Sequence, residues 1–148
     1  MTGILNYEMG NLISIKNALL EVDEESITIN QKEDFQKIER LIIPGVGSYK
    51  KAISNIHKLD LYEPVKKFIN GNSPVLGICL GMQLLGEFGL ENGKSKGLEY
   101  FEGYIKKLEV KNPFRIPHIG WNGIQIKENH PILKNVKTTA DFYFLHSY

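Results

Sequence analysis

The chain has a single cysteine, in the stretch GICLG at residues 77 to 81. A thiol with a glycine two residues away on each side has the spacing of a nucleophile elbow. There the glycines let strand and helix approach closely while the central residue takes a strained turn. Cys79 would then project at the carboxyl edge of a sheet. The segment LGMQLLGEF reads as the helix that follows, and its first N–H groups and positive dipole end favour thiolate over thiol. The same residues also read as core, because cysteine is among the most buried residue types and Ile78 and Leu80 flank it. A second loop, PGVG at 44 to 47, follows the apolar run RLII. If the strand ending at Pro44 lies beside the one ending at Cys79, N–H groups of this loop and of Leu80 can form an oxyanion hole over the sulfur. The alternative is an ordinary Pro-Gly turn ahead of a helix.

The chain has four histidines. His57 lies on a polar helix face, His118 in the PHIGWN turn and His130 in a loop before a proline, and all three read as solvated or structural. His146 ends an apolar strand, where a base could approach Cys79. Trp121, in a PHIGWN loop without helical or alternating pattern, is a candidate interface anchor, since an indole offers large amphipathic area. Its alternative is packing under the strands that follow.

Short β-rich runs alternating with helical patterns would position these groups. GILNY at 3 to 7 is the first strand. Leu12, Ile15, Leu19 and Val22 then recur at spacings of three and four, which predicts a packed amphipathic helix with Asn11 as its cap. SITIN at 26 to 30 and RLIIPG at 40 to 45 read as strands with a short charged helical segment between them. Residues 48 to 59 and 62 to 69 read as helices. PVLGI at 74 to 78 has the apolar character of a strand buried on both faces of a parallel sheet. This order implies a doubly wound α/β core with its site at the carboxyl ends of the strands. Beyond Gly89, GYIKKLEV, NGIQIKE and DFYFLHSY read as strands without long helices between them.

Composition fits one globular domain over residues 1–148, with 42% apolar and 24% charged residues. Eighteen basic and 17 acidic side chains are spread along the chain, leaving no electrostatic footprint for nucleic acid or an anionic membrane. A lone cysteine forms no internal disulfide, the N-terminus lacks signal-peptide character and no apolar run is long enough to span a bilayer. A reducing cytoplasm is the expectation. No metal site or cofactor is expected.

Five blocks carry a family resemblance: MGN at 9 to 11, PGVGS at 44 to 48, GICLGMQLL at 77 to 85, PHIGWN at 117 to 122 and FYFLHSY at 142 to 148. In this order they resemble the glutamine amidotransferase subunits of imidazole glycerol phosphate synthase. The resemblance implies the class I amidotransferase fold, a flavodoxin-like three-layer α/β architecture with a mostly parallel sheet. It also implies a glutaminase that passes ammonia to a (β/α)₈ synthase subunit in a heterodimer, for imidazole glycerol phosphate and aminoimidazole carboxamide ribotide formation in histidine biosynthesis. By motif, Cys79 is the nucleophile, and Val46, Gly47 and Leu80 form the oxyanion region. Gln83, His146, Ser147 and Tyr148 hold glutamine, so that His146 stands beside the substrate and is not the base. Asn11, Trp121 and Asn122 meet the synthase partner.

The sequence departs from the family pattern in two places. The triad needs a His and a Glu from a later F-H-P-E type segment, which residues 1–148 do not contain, so a sequence missing its C-terminal catalytic segment is expected. Asn6 and Glu8 stand where the family usually has aspartate and glycine. Two other readings are kept open, a paralogous amidotransferase subunit serving surface-sugar biosynthesis and a non-catalytic partner-binding domain.

Overall fold

Four short apolar strands build the main sheet: β1 (Thr2–Leu5), β2 (Ser26–Ile29), β3 (Arg40–Ile43) and β4 (Val75–Gly77). All neighbours pair in parallel, in the order β2-β1-β3-β4. Parallel neighbours need crossovers, which are α1 (Leu12–Leu20), a 3₁₀ segment (Lys32–Lys37), and α2 (Tyr49–Lys58) with α3 (Tyr62–Ile69). From β1 the chain steps outward to β2, and from β3 it steps the opposite way to β4. Right-handed crossovers therefore put α1 on one face of the sheet and α2 and α3 on the other, the doubly wound arrangement expected from sequence.

This structure, a computed structural model, describes residues 1–148 and contains two compact units, residues 1–106 and 107–148. In the first, alternate strand residues Leu5, Leu41 and Ile43 join Ile56, Leu61, Val65, Leu80, Leu84 and Leu98 in one buried cluster. Burying each such side chain is worth roughly 1.5–3 kcal/mol. A second sheet follows α4 (Leu80–Leu84): β5 (Gly86–Gly89) pairs antiparallel with β6 (Ser95–Lys96) and parallel with β7 (Phe101–Ile105). It is tied to α3 where Tyr62 Oη donates to the Gly97 carbonyl at 2.7 Å and Lys66 Nζ meets Glu99 Oε2 at 2.6 Å. The second unit is an antiparallel pair, β8 (His118–Gly123) and β9 (Asp141–His146). No helix is long and apolar enough to cross a membrane.

Several elements differ from the sequence expectation. Asn11 does cap α1, its Oδ1 accepting from Ser14 N at 3.1 Å, but no residue of that helix is fully buried and Val22 lies beyond it, exposed. Ile13 and Leu20 make the opposite face apolar too, so the three-four spacing marks the inward face without ensuring its burial. β4 is an edge strand with Leu76 39% exposed, because an apolar run does not distinguish a two-sided strand from a one-sided one. The helix after Cys79 stops at Leu84, and residues 86 to 89 form β5 instead. Pairing with β7 overrides the helical pattern there, and Gly89 and Gly97 are both packed so tightly against Tyr49 that neither site has room for a Cβ. PHIGWN is not a turn but most of β8, which displaces the strand expected at NGIQIKE.

These burial differences set an expected contrast in urea unfolding. Leu5→Ala should cost about 3 kcal/mol, as a fully buried leucine does. Ile13→Ala, at a site 72% exposed, should stay within about 0.5 kcal/mol. A loss at Ile13 comparable to that at Leu5 would show α1 to be tightly packed.

Candidate active site

The two loops singled out by sequence emerge side by side. β3 and β4 pair with Ile43 opposite Gly77, and the ladder continues one residue further, where Ile78 N donates to Ile43 O at 2.9 Å. The chain then turns sharply at Cys79, with φ 53° and ψ −115°, a left-handed φ that a non-glycine residue rarely adopts. Cys79 is exposed, so the core reading fails. Its carbonyl accepts from Met82 N at 3.0 Å and Gln83 N at 3.2 Å, closing the first turn of α4. Leu80, at the first helical position, directs an N–H that has no intrahelical acceptor out of that turn. Its side chain is buried, which fixes the backbone.

Both glycines of GICLG are needed for close approach. A Cβ at Gly77 would lie 2.5 Å from Met82 Cα, and one at Gly81 would collide with the Ile43 carbonyl. Strand and helix can therefore meet only with hydrogen at these positions. The PGVG loop packs on the same turn, since a Cβ at Gly45 would lie 3.0 Å from both Gly81 N and Leu80 Cβ. Val46 and Gly47 follow, both exposed, with Gly47 at φ 99°.

Sequence reasoning missed the supports of this loop. Tyr7, fully buried just after β1, donates from Oη to the Pro44 carbonyl. Its hydroxyl is held well above the usual tyrosine range, mainly by burial and secondarily by the charge of nearby Cys79. Asn55 of α2 donates from Nδ2 to the Tyr7 carbonyl at 2.9 Å. At the other end of the loop, Glu91 Oε2 accepts from Tyr49 N at 2.7 Å, placing a carboxylate at the positive end of α2. The helical spacing of α2 does mark Asn55 as inward-facing. Nothing local marks Glu91, which lies in a polar, Gly-rich stretch.

Gln83 is half-buried on α4. A groove of about 740 Å³ lies elsewhere, floored by Phe35, Pro64 and Phe68. Its lining includes Gly71 and Ser73, which precede β4, so it opens near the amino ends of the strands, whereas Cys79 stands at the carboxyl end.

In residues 107–148 the β8/β9 register sets His118 opposite His146 and Trp121 opposite Tyr143. His118 is thus a strand residue, not a turn residue. Its Nδ1 lies 3.0 Å from His146 Nε2, its Nε2 lies 2.7 Å from Asn122 Nδ2, and His146 Nδ1 lies 2.9 Å from the Tyr148 carbonyl. A carbonyl only accepts, so with both rings neutral the donors run in one direction. Asn122 donates to His118, His118 to His146, and His146 to Tyr148. Both ring nitrogens of His146 are therefore engaged. The Ser147 carbonyl accepts from Leu108 N at 2.8 Å. Trp121 is 71% exposed and meets Tyr143 edge-on, with Ile119 and Leu145 paired beside them on the same open face. His130 Nδ1 accepts from Ile132 N at 3.3 Å, and His57 stacks on Tyr62. No cluster of three or more His, Cys, Asp or Glu side chains that could hold a metal occurs.

A cysteine at positive φ on a strand-to-helix elbow, at the carboxyl edge of a doubly wound parallel sheet, defines an α/β protein of the nucleophile-elbow class. Residues 4–148 match the family profile described as glutamine amidotransferase class-I. The chain is 43% identical over 148 residues to the imidazole glycerol phosphate synthase subunit HisH of Caldanaerobacter subterraneus, covering all of this chain and 72% of the relative. It is 40% identical over 146 residues to the subunit of the same name from a Synechococcus species, covering 99% of this chain and 68% of that one. A solved structure described as a crystal structure of glutamine amidotransferase shares the fold, with a TM-score of 0.71 at 18% identity over 99% of this chain and 70% of its own. The chain belongs to the class-I glutamine amidotransferase family.

Exposure of Cys79 gives a direct test of the elbow. Iodoacetamide should alkylate it in the native chain at a rate within about tenfold of that in denaturant, since no unfolding is needed to reach the sulfur. Protection in the native state, released only on unfolding, would return Cys79 to the core.

Proposed function

We propose that this chain is the glutaminase subunit of an imidazole glycerol phosphate synthase, hydrolysing glutamine to glutamate and ammonia for histidine biosynthesis. The observation that carries this reading is the exposed Cys79 elbow seated against the PGVG loop. The HisH relatives, 34–43% identical, supply the pathway.

In the proposed reaction the Cys79 thiolate attacks the side-chain amide carbon of glutamine. The carbonyl oxygen becomes an oxyanion, stabilised by backbone N–H groups at Val46, Gly47 and Leu80. The C–N bond then breaks, a general acid protonates the leaving nitrogen, and ammonia departs from a γ-glutamyl thioester. Water, activated by a general base, hydrolyses the thioester and regenerates the thiol. Gln83 and the His146, Ser147 and Tyr148 segment hold the substrate. The acid-base histidine and its glutamate partner belong to an F-H-P-E type segment, which does not occur within residues 1–148. No cofactor is required.

The partner is a (β/α)₈ synthase subunit that consumes the ammonia in a cytoplasmic heterodimer, and the lyase step belongs to that subunit. Asn11, Trp121 and Asn122 form the contact on this side. The open indole supports this role for Trp121, since large exposed apolar groups beside one another mark interaction surfaces.

Residues 1–148 alone should turn over glutamine barely or not at all, because no acid protonates the departing nitrogen. Activity should appear when the C-terminal part of the Caldanaerobacter relative is fused on, and should vanish in Cys79→Ala. Turnover by residues 1–148 that is lost in His146→Ala would make His146 the base and overturn this assignment. In titrations with the synthase subunit, Trp121→Ala should weaken binding by about 2 kcal/mol while leaving the melting temperature unchanged. Unchanged affinity would place the interface elsewhere.

A further inference from the structure

We infer that Tyr7 is a positioning residue for the oxyanion loop, its hydroxyl fixing the Pro44 carbonyl and through it the orientation of the N–H groups that follow. This rests on the glutaminase reading of Cys79 and the PGVG loop. A buried phenol is costly unless its hydroxyl is bonded, and Tyr7 is fully buried with its hydroxyl donated to Pro44. A peptide unit is planar, so holding the Pro44 C=O also holds the Gly45 N–H pointing the other way and sets the starting direction of residues 45–47.

Space and a second hydrogen bond make the constraint tight. Gly45 is the one residue type that fits, since a Cβ there would strike the Tyr7 hydroxyl on one side and press on Leu80 and Gly81 on the other. Tyr7 is in turn held by the buried Asn55 amide of α2, which donates to its carbonyl at 2.9 Å. Its hydroxyl stays protonated, and so a donor, because burial and the Cys79 charge both oppose ionisation. Beyond this pin the loop has little support of its own. Val46 is 61% exposed and Gly47 takes a φ open mainly to glycine, until Glu91 fixes the start of α2 at Tyr49. Val46 and Gly47 are thus suspended between two fixed points, of which Tyr7 is the one next to the elbow.

Tyr7→Phe removes the oxygen and keeps the ring, and Asn55→Ala removes the support behind it. In Tyr7→Phe, hydrogen exchange at the amides of residues 45–47 should rise by about tenfold or more, while core amides of α2 and α3 stay within about twofold. Alkylation of Cys79 by iodoacetamide, which needs no oxyanion hole, should also stay within about twofold. In the chain carrying the fused C-terminal part of the Caldanaerobacter relative, assembled with the synthase subunit, kcat for glutamine should fall by about tenfold with KM nearly unchanged, the signature of an interaction lost mainly in the transition state. Asn55→Ala should give the same pattern in weaker form, and it decides the matter if Tyr7→Phe fails to fold. Unchanged loop exchange, a uniform rise throughout the chain, or unchanged kcat would overturn the inference. If the wild-type fusion, assembled with the synthase subunit, does not hydrolyse glutamine, the glutaminase reading fails, and the exchange data alone decide whether Tyr7 pins the loop.

Discussion

The site depends on one close approach, that of the Gly81 backbone to the Ile43 carbonyl, where any side chain at Gly81 would collide. This contact presses the first turn of α4 against the end of β3. The same turn carries Cys79, and the same strand end leads into PGVG, so one contact fixes Cys79 relative to its neighbouring loop. The parallel pairing of β3 with β4 brings the strand ends level, and Gly77 lets the helix lie back over its own strand. The left-handed φ at Cys79 is the conformational cost of this packing, and the buried side chains of Leu80 and Leu84 offset it.

Around that contact the doubly wound sheet acts as a frame. β1 and β3 are neighbours, so the loop after β1 reaches the loop after β3, and Tyr7 bonds Pro44, while a Cβ at Gly47 would lie 3.1 Å from Met9 Cε and one at Gly10 would lie 3.4 Å from Pro44 Cβ. α2 contributes twice, through the Asn55 amide and through the helix start held by Glu91. Loops at the carboxyl edge are free to carry chemistry because backbone polar groups deeper in the sheet are satisfied by the ladder.

Much of this was legible in the sequence, and the failures have physical causes. The strand ends at Pro44 and Cys79 could be read because apolar runs stopping at glycine-containing turns are a local signal, and so could α2 and α3 from their spacing. The extent of α4 could not, since LGMQLLGEF has helical character and only a distant partner, β7, pulls residues 86 to 89 into a strand. PHIGWN looked like a turn because proline and glycine punctuate it, yet pairing with DFYFLH makes it a strand. The supports at Tyr7, Asn55 and Glu91 stayed hidden for the same reason, because each acts on a residue 37 to 48 positions away in the chain. Local patterns located the elbow at Cys79, whereas the groups that hold its surroundings are set by tertiary contacts.

The central claim is that Cys79 forms a covalent bond to the glutamine side chain. Rapid acid quenching during glutamine turnover by the chain carrying the fused C-terminal part, assembled with the synthase subunit, followed by mass spectrometry of the chain, tests it most directly. A γ-glutamyl adduct on the peptide containing Cys79, absent in Cys79→Ala, is the predicted result. Turnover that persists in Cys79→Ala, or an adduct located on another residue, would contradict it.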